Sequence, residues 1–292
     1  MPIAVSTLCA LSVLLQAQPQ AAMDWKAVDR VLGRSGNLQG ETYRVGFPRN
    51  DLHVTVGAVT VRPALALGSW VAFKQTDDTT AMLMGDLVMV ESEVGPVIDA
   101  LQRGGIEQTA LHNHLINESP HVVYVHIGGR GRPVVLATAV HEALGQTKTP
   151  PVPPAVSAAP PVDLDTMQLA QVLGVHGRAN GGVYQVGVPR AGDVTLDGVV
   201  VPPAMGVATA INLQATGATA AVATGDFVLI ASEVNPVARA LRANGIAVTA
   251  LHSHMLNENP RLLFMHFWGE GDAVKLARGL RAALDQMDIK RT

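Results

Sequence analysis

The chain has 292 residues, which suits roughly two domains of ordinary size. Hydrophobic residues make up 48% and charged residues only 15%, with a net charge of −3, so no basic face is available and phosphate-backbone binding to nucleic acid is excluded. Aromatics stand at 4%, too few for platforms that stack bases or sugars, and the cores must be aliphatic.

In chain order, residues 1–22 come first. An apolar run from Ile3 to Leu15 leads into small and polar residues ending at Ala22, and reads as a signal peptide although no Lys or Arg precedes the run. It is too short for a transmembrane span, which takes about 20 residues. The reading implies an exported protein, periplasmic, cell-surface or secreted. Cys9, the single cysteine, lies inside this segment and lacks the small residue expected just before a lipid-modified cysteine. The mature chain would hold no disulfide and depend on its cores for stability.

The remainder is written twice. Leu32-Gly33 matches Leu173-Gly174, and Gly46-Phe47-Pro48-Arg49 matches Gly187-Val188-Pro189-Arg190, at an offset of 141 (173 − 32). From Val54 and Val194 onward the offset is 140 (252 − 112), and Gly85 to His126 shares 21 identities in 42 positions with its counterpart. That period is too long for a solenoid unit, so each copy is a whole domain: 23–145 and 163–287, joined by a Pro/Ala-rich, semi-rigid linker at 146–162.

Within the first copy, Trp25 to Leu32 is apolar at helical spacing and stops at Gly33. Short β-branched runs follow at Thr42 to Phe47, His53 to Val61, Ser69 to Lys74 and Ala81 to Val90, with a turn at Asp77-Asp78. Glu93 to Arg103 reads as a helix with Ser92 as its N-cap and Gly104-Gly105 as its stop. Strands at Thr109 to Leu115 and Val122 to Ile127 and an amphipathic helix from Pro133 to Leu144 close the domain. The pattern predicts an α+β fold: two tandem homologous domains, each a mainly antiparallel sheet with helices on one face. Each sheet then has an aliphatic face that needs a cover, so the copies should pack as one body with pseudo-two-fold symmetry.

The chemistry lies in Leu111-His112-Asn113-His114, Asn117-Glu118-Ser119-Pro120 and His126, repeated as Leu251-His252-Ser253-His254, Asn257-Glu258-Asn259-Pro260 and His266. Strand alternation puts His112 and His114 on one face, and His126 opposite Val125 and Ile127. If the hairpin brings His126 beside the pair, each copy offers three imidazoles and one carboxylate on a sheet surface, a ligand set for a divalent transition metal such as Zn, Cu, Fe or Mn. Two outward histidines on a strand are also common as a solvated pair, and Asn-Glu before Ser-Pro fits turn chemistry. Arg49 and Arg190 could take an anion but fit a surface role, Glu93 and Glu233 suit helix-dipole compensation, and His53, His121, His141 and His176 have no repeat partner.

The spacing from His112 to Glu118 partly resembles the first metal motif of cupins, which carry β-strands all round, whereas helices flank it here. A closer resemblance spans nearly the whole mature chain. Gly85-Asp86, Ser92 to Val97, Gly105 to His114 and Asn117 to His126, with Gly225-Asp226, Ser232 to Val237, Gly245 to His254 and Asn257 to His266, are similar to the LppY/LpqO family of bacterial lipoproteins and exported proteins. The resemblance implies export and duplication of a domain without assigned function, and the missing lipid-attachment cysteine sets this chain apart from the anchored members.

Three functions follow from these residues. One is binding of a metal ion or small polar ligand by the histidines. A second is metal-dependent hydrolysis, with Glu258 or Glu118 as the general base. The third is a structural or partner-docking protein with incidental histidines. Met255, Phe264, Phe267 and Trp268 frame the second cluster where Asn113, Tyr124, Gly128 and Gly129 frame the first, which would make the second drier and, in an enzyme, the catalytic one.

Overall fold

The computed structural model describes residues 22–150 and 160–290. The rest of the segment read as a signal peptide (1–21) and part of the linker (151–159) lie outside the described residues. The first half runs α1 (Trp25–Leu32), β1 (Asn37–Gln39), β2 (Thr42–Pro48), β3 (Thr55–Val56), β4 (Val59–Thr60), α2 (Pro63–Ala66), β5 (Gly68–Gln75), β6 (Ala81–Val90), α3 (Glu91–Arg103), β7 (Glu107–His112), β8 (Glu118–Ser119), β9 (Val122–Gly131) and α4 (Pro133–Leu144). The second half repeats it with α5 (Thr166–Leu173), β10 (Arg178–Asn180), β11 (Val183–Pro189), β12 (Thr195–Leu196), β13 (Val199–Val200), β14 (Ala208–Ala215) and β15 (Ala220–Leu229). It ends with α6 (Ala231–Ala243), β16 (Ala247–His252), β17 (Glu258–Asn259), β18 (Leu263–Asp272) and α7 (Ala273–Leu284). A 3-10 turn, Pro203–Met205, stands where the first half has α2.

Local chemistry sets the ends. Asp24 and Asp165 cap α1 and α5 by accepting from the backbone N–H three residues on, and Gly33 and Gly174 close them in the left-handed conformation at φ 67° and 72°. Several expected boundaries move: the strand read as Thr109 to Leu115 is Glu107–His112, the one read as Val122 to Ile127 runs on to Gly131, and two further shifts have a local cause. The run from His53 to Val61 folds as a tight hairpin, because Gly57 at φ 56° turns the chain between β3 and β4. Helix α3 starts at Glu91 with Val90 as N-cap instead of Ser92, since Glu93 reaches back to accept from the Val90 N–H at 3.0 Å.

Each half forms a six-stranded antiparallel sheet, ordered β1-β2-β5-β6-β9-β7 and β10-β11-β14-β15-β18-β16. A small three-stranded sheet, β4-β3-β8 or β13-β12-β17, accompanies each. Strands β6 and β9 are buried on both faces. Leu83, Leu87, Met89, Val125 and Ile127 point to the helices, and α1, α3 and α4 cover them. The opposite faces meet the other half: Val88, Val122 and Tyr124 share a core with Val183 and Val222, while Met82 and Met84 share one with Met205, Met255 and Phe264. The result is a helix-sheet-sheet-helix stack in which each sheet is the other's cover.

Arg49 overturns the expectation of a surface arginine. Its side chain is fully buried, pairs with Glu93 at 2.8 Å and Asp51 at 2.8 Å, and donates to the Val88 carbonyl. Arg190 pairs with Glu233 at 2.6 Å in the second half and donates to Val228 O. Glu93 and Glu233 thus cap their helices and neutralise a buried guanidinium, and also accept from the N–H of Lys148 and Asp288 where the chain leaves each domain.

Candidate metal centre

All six repeated histidines gather in one place. The expectation of a separate cluster on each sheet fails because the two histidine-bearing faces are the faces that cover one another. His112 stacks on His252 with ring centroids 3.7 Å apart, His114 meets His266 at 3.8 Å, and His126 meets His254 at 3.7 Å. Each contact joins one half to the other.

The strands that position these side chains follow the pleat. His126 lies across from Asp86 in the β6–β9 pairing, and His266 across from Asp226 in β15–β18, so each carboxylate and imidazole project together from an inner face. Gly85 and Gly225 precede the aspartates for a steric reason: a Cβ on Gly85 would stand 2.8 Å from the Trp70 carbonyl oxygen, and one on Gly225 would collide with that of Ala210. His112 and His252 end β7 and β16, and His114 and His254 sit just beyond. Both strands carry a bulge at Thr109 and Thr249. From it the Thr109 hydroxyl donates to His254 O and the Thr249 hydroxyl to His114 O, each at 2.6 Å, so each half fixes the other's His-x-His segment.

Tautomers follow from the acceptors. Nδ1 of His126 lies 3.3 Å from Gly85 O, that of His266 2.8 Å from Gly225 O, and that of His254 3.1 Å from Gly206 O. A carbonyl only accepts, so Nδ1 carries the proton in each ring and Nε2 presents its lone pair to the centre. In His254 that lone pair faces Asp226 Oδ2 at 3.0 Å, and His114 Nε2 stands 3.4 Å from Asp86 Oδ2, neither with hydrogen-bond geometry. For His254 and Asp226, two acceptors so close require a proton or a cation between them. His252 Nε2 and His126 Nε2 are hydrogen-bonded at 3.3 Å, and since His126 carries its proton on Nδ1, His252 is the donor.

Buried polar atoms without a partner concentrate here: Oδ1 of Asp86 and Asp226, both ring nitrogens of His112, Nδ1 of His252, and Nε2 of His114, His254 and His266. A buried polar atom left unmatched costs about 1–3 kcal/mol, so a cluster of them marks a ligand site. Burial, reinforced by the neighbouring imidazoles, holds His112, His114 and His252 far below the ordinary histidine range and brings His126 down to about 3. Burial likewise lowers His254 to about 3, and it raises Asp226 to about 6. At neutral pH the lowered imidazoles are neutral, the form that binds metal.

Four ligand groups have donor atoms within 4.8 Å of one another: His112, His126 and His252; His112, His114 and His266; Asp86, His114 and His126; Asp226, His252 and His254. Asp86 and Asp226 were missed by sequence reasoning, although the twofold Gly-Asp at identical spacing was the available signal. Glu118 and Glu258 belong to none of these groups. Their carboxylates accept from the N–H of Val122 at 3.4 Å and Leu262 at 2.9 Å, closing their own loops.

The aromatic difference between the copies also resolves differently. Tyr124 stacks on His114 and Phe264 on His254, both at 3.4 Å, while Phe267 points into the helix-side core and Trp268 packs against the first half's inner core. No second, drier cluster exists among the described residues. A groove of about 320 Å³ opens beside His254, lined from both halves by residues including Thr109, Arg130, Met255 and Asn257.

The family described as Domain of Unknown Function (DUF1259) matches the chain twice, at residues 26–146 and 167–286. The chain belongs to that family. Both DUF1259 repeats contribute to the cluster, and neither holds all of its candidate ligands. No curated protein matches the chain at a significant level. Among solved structures, it is similar to a trimeric bacterial microcompartment shell protein PduB, at 12% identity over 88% of this chain and 95% of that one, with a TM-score of 0.21. It is also similar to EtuB from Clostridium kluyveri, at 14% identity over 86% and 90%, with a TM-score of 0.19. Likenesses at these scores carry no argument about the centre.

Proposed function

We propose that this protein is an exported metal-binding module that holds a divalent transition metal between its two DUF1259 repeats. The observation that carries the reading is the buried histidine–aspartate cluster, several of whose converging donor atoms lack hydrogen-bond partners and which, at His254 and Asp226, sets acceptor against acceptor at 3.0 Å. A cation turns that repulsion into coordination. Imidazole and carboxylate donors without thiolate suit Zn, Cu, Fe or Mn. Export is supported by the N-terminal apolar run, and no helix among the described residues is long and apolar enough to cross a membrane.

The hydrolytic alternative draws less support. Its base, Glu258 or Glu118, is engaged with its own loop, and neither stands in a ligand group.

The test is metal binding by the untagged protein. Elemental analysis, followed by calorimetric titration of chelator-stripped protein with Zn, Cu and Mn, should show binding far tighter than millimolar that collapses when His112 and His114 both become Ala. Binding only in the millimolar range, or binding unchanged in that double variant, rejects the reading.

A further inference from the structure

Resting on the metal-binding reading above, we propose that the centre is dinuclear: it holds two divalent transition-metal ions side by side, each on ligands drawn from a separate set of side chains. Two of the ligand groups share no residue. His112, His114 and His266 form one, and Asp226, His252 and His254 form the other. Within each set the donors already lie within 4.8 Å of one another, and no side chain is claimed by both.

The number of donors argues the same way. A tetrahedral ion takes four ligands, and here six imidazoles and two carboxylates converge, twice that number. A single ion placed among His112, His126 and His252 would leave Nε2 of His114, His254 and His266 and Oδ1 of both aspartates unmatched in the interior. Two ions draw on His114, His254, His266 and Asp226 directly. His126 and Asp86 then stand at hand as fourth ligands, since both group with His114 and His126 also groups with His112 and His252.

The ions would be neighbours, because His112 and His252, one from each set, stack at 3.7 Å. The two aspartates offset half of the charge of two divalent ions, and water on such an ion deprotonates readily, which offsets more. Duplication explains the arrangement: two copies of one half-site, related by a pseudo-two-fold axis, generate two ions where each copy alone brings ligands for parts of both.

The experiment uses the full-length, untagged protein, stripped with chelator and dialysed against excess Mn²⁺ or Zn²⁺. Elemental analysis should give two ions per chain, and the Mn²⁺ form should show the electron paramagnetic resonance signature of an exchange-coupled pair. His266→Ala touches only the first set and Asp226→Asn only the second, so each should lower the stoichiometry from two to one and abolish the coupled signal. One ion per chain at saturation in the wild type overturns the dinuclear proposal while leaving the metal-binding reading intact. Two ions without magnetic coupling, held at sites insensitive to both substitutions, overturn it as well. No ion at all overturns both. The wild-type stoichiometry and spectrum decide the matter even where a variant fails to fold.

Discussion

His112 and His252 lie face to face at 3.7 Å across the pseudo-two-fold axis, although 140 residues (252 − 112) separate them in the chain. An apposition of two neutral, mutually discouraging bases needs a reason outside their own pairing. Packing of the two sheets supplies the proximity, and on the metal-binding proposal coordination supplies the reason for keeping it.

Acid should therefore unfold the metal-free protein. His126 and His254 have folded pKa values of about 3 against an ordinary 6.5, so below pH 6.5 the unfolded chain binds protons that the folded one refuses. Stability is unaffected above that range and is lost as pH falls from 6.5 towards 3, at about 1.4 kcal/mol per pH unit for each such histidine. Asp226, raised to about 6, acts in the opposite sense: between pH 6 and its ordinary 3.8 the folded state is the one that binds the extra proton, which softens the slope there. Melting temperature followed from pH 7.5 to 4 in chelator should fall steeply, and bound metal should hold the curve up. A flat profile would contradict the buried, neutral histidines.

The first repeat alone should not behave as a stable monomer. Residues 23–146 would expose Met82, Met84, Val88 and Tyr124, which the second repeat covers. Sedimentation of this fragment should reveal a homodimer or aggregation, and a dimer would rebuild a six-histidine centre by true two-fold symmetry. A monomer melting at the temperature of the full chain would show that the repeats are independent.

Arg49→Met should destabilise strongly without touching the centre. The substitution leaves Glu93 7% exposed and without its partner guanidinium, a loss of about 3–5 kcal/mol for a broken buried pair. Denaturant unfolding should report that loss, and Arg190→Met should behave similarly through Glu233. Metal stoichiometry of the folded fraction should stay at the wild-type value, because neither pair touches a histidine of the cluster.

Much of this architecture was legible from periodicity. The α1 helix and its Gly33 stop, the β9 strand, the α4 helix and the need for each sheet to be covered all follow from residue pattern. The shared face of His112 and His114 does not, since β7 ends at His112 and His114 lies beyond the alternating strand. What pattern could not give was which histidine meets which, because contacts such as His114 with His266 depend on how two sheets are apposed and not on any spacing within one strand. Asp86 escaped although a carboxylate inside an otherwise apolar strand breaks the rule that buried charges are paired, because its repeat at Asp226 reads only as part of a motif and its neighbours come from strands distant in sequence. Arg49 escaped because a fully buried arginine is rare enough that exposure was the default, and only its repeated partner Glu93 signalled otherwise.

The bulge threonines offer a way to loosen the centre without removing a ligand. Thr109 and Thr249 each donate across the interface to the carbonyl of a histidine in the other half, and each is displaced from regular pairing by a bulge that aims it there. Valine keeps the shape and β-branching of threonine and removes only the donor, so Thr109→Val with Thr249→Val leaves the His254 and His114 carbonyls without these hydrogen bonds. Each lost bond should cost about 1 kcal/mol, and the double variant should melt several degrees lower. The sharper readout is metal: with the His-x-His segments no longer tied to the opposite half, affinity should fall about tenfold or more while stoichiometry is retained. Unchanged affinity alongside a lowered melting temperature would show that the threonines stabilise the interface and do not position the ligands.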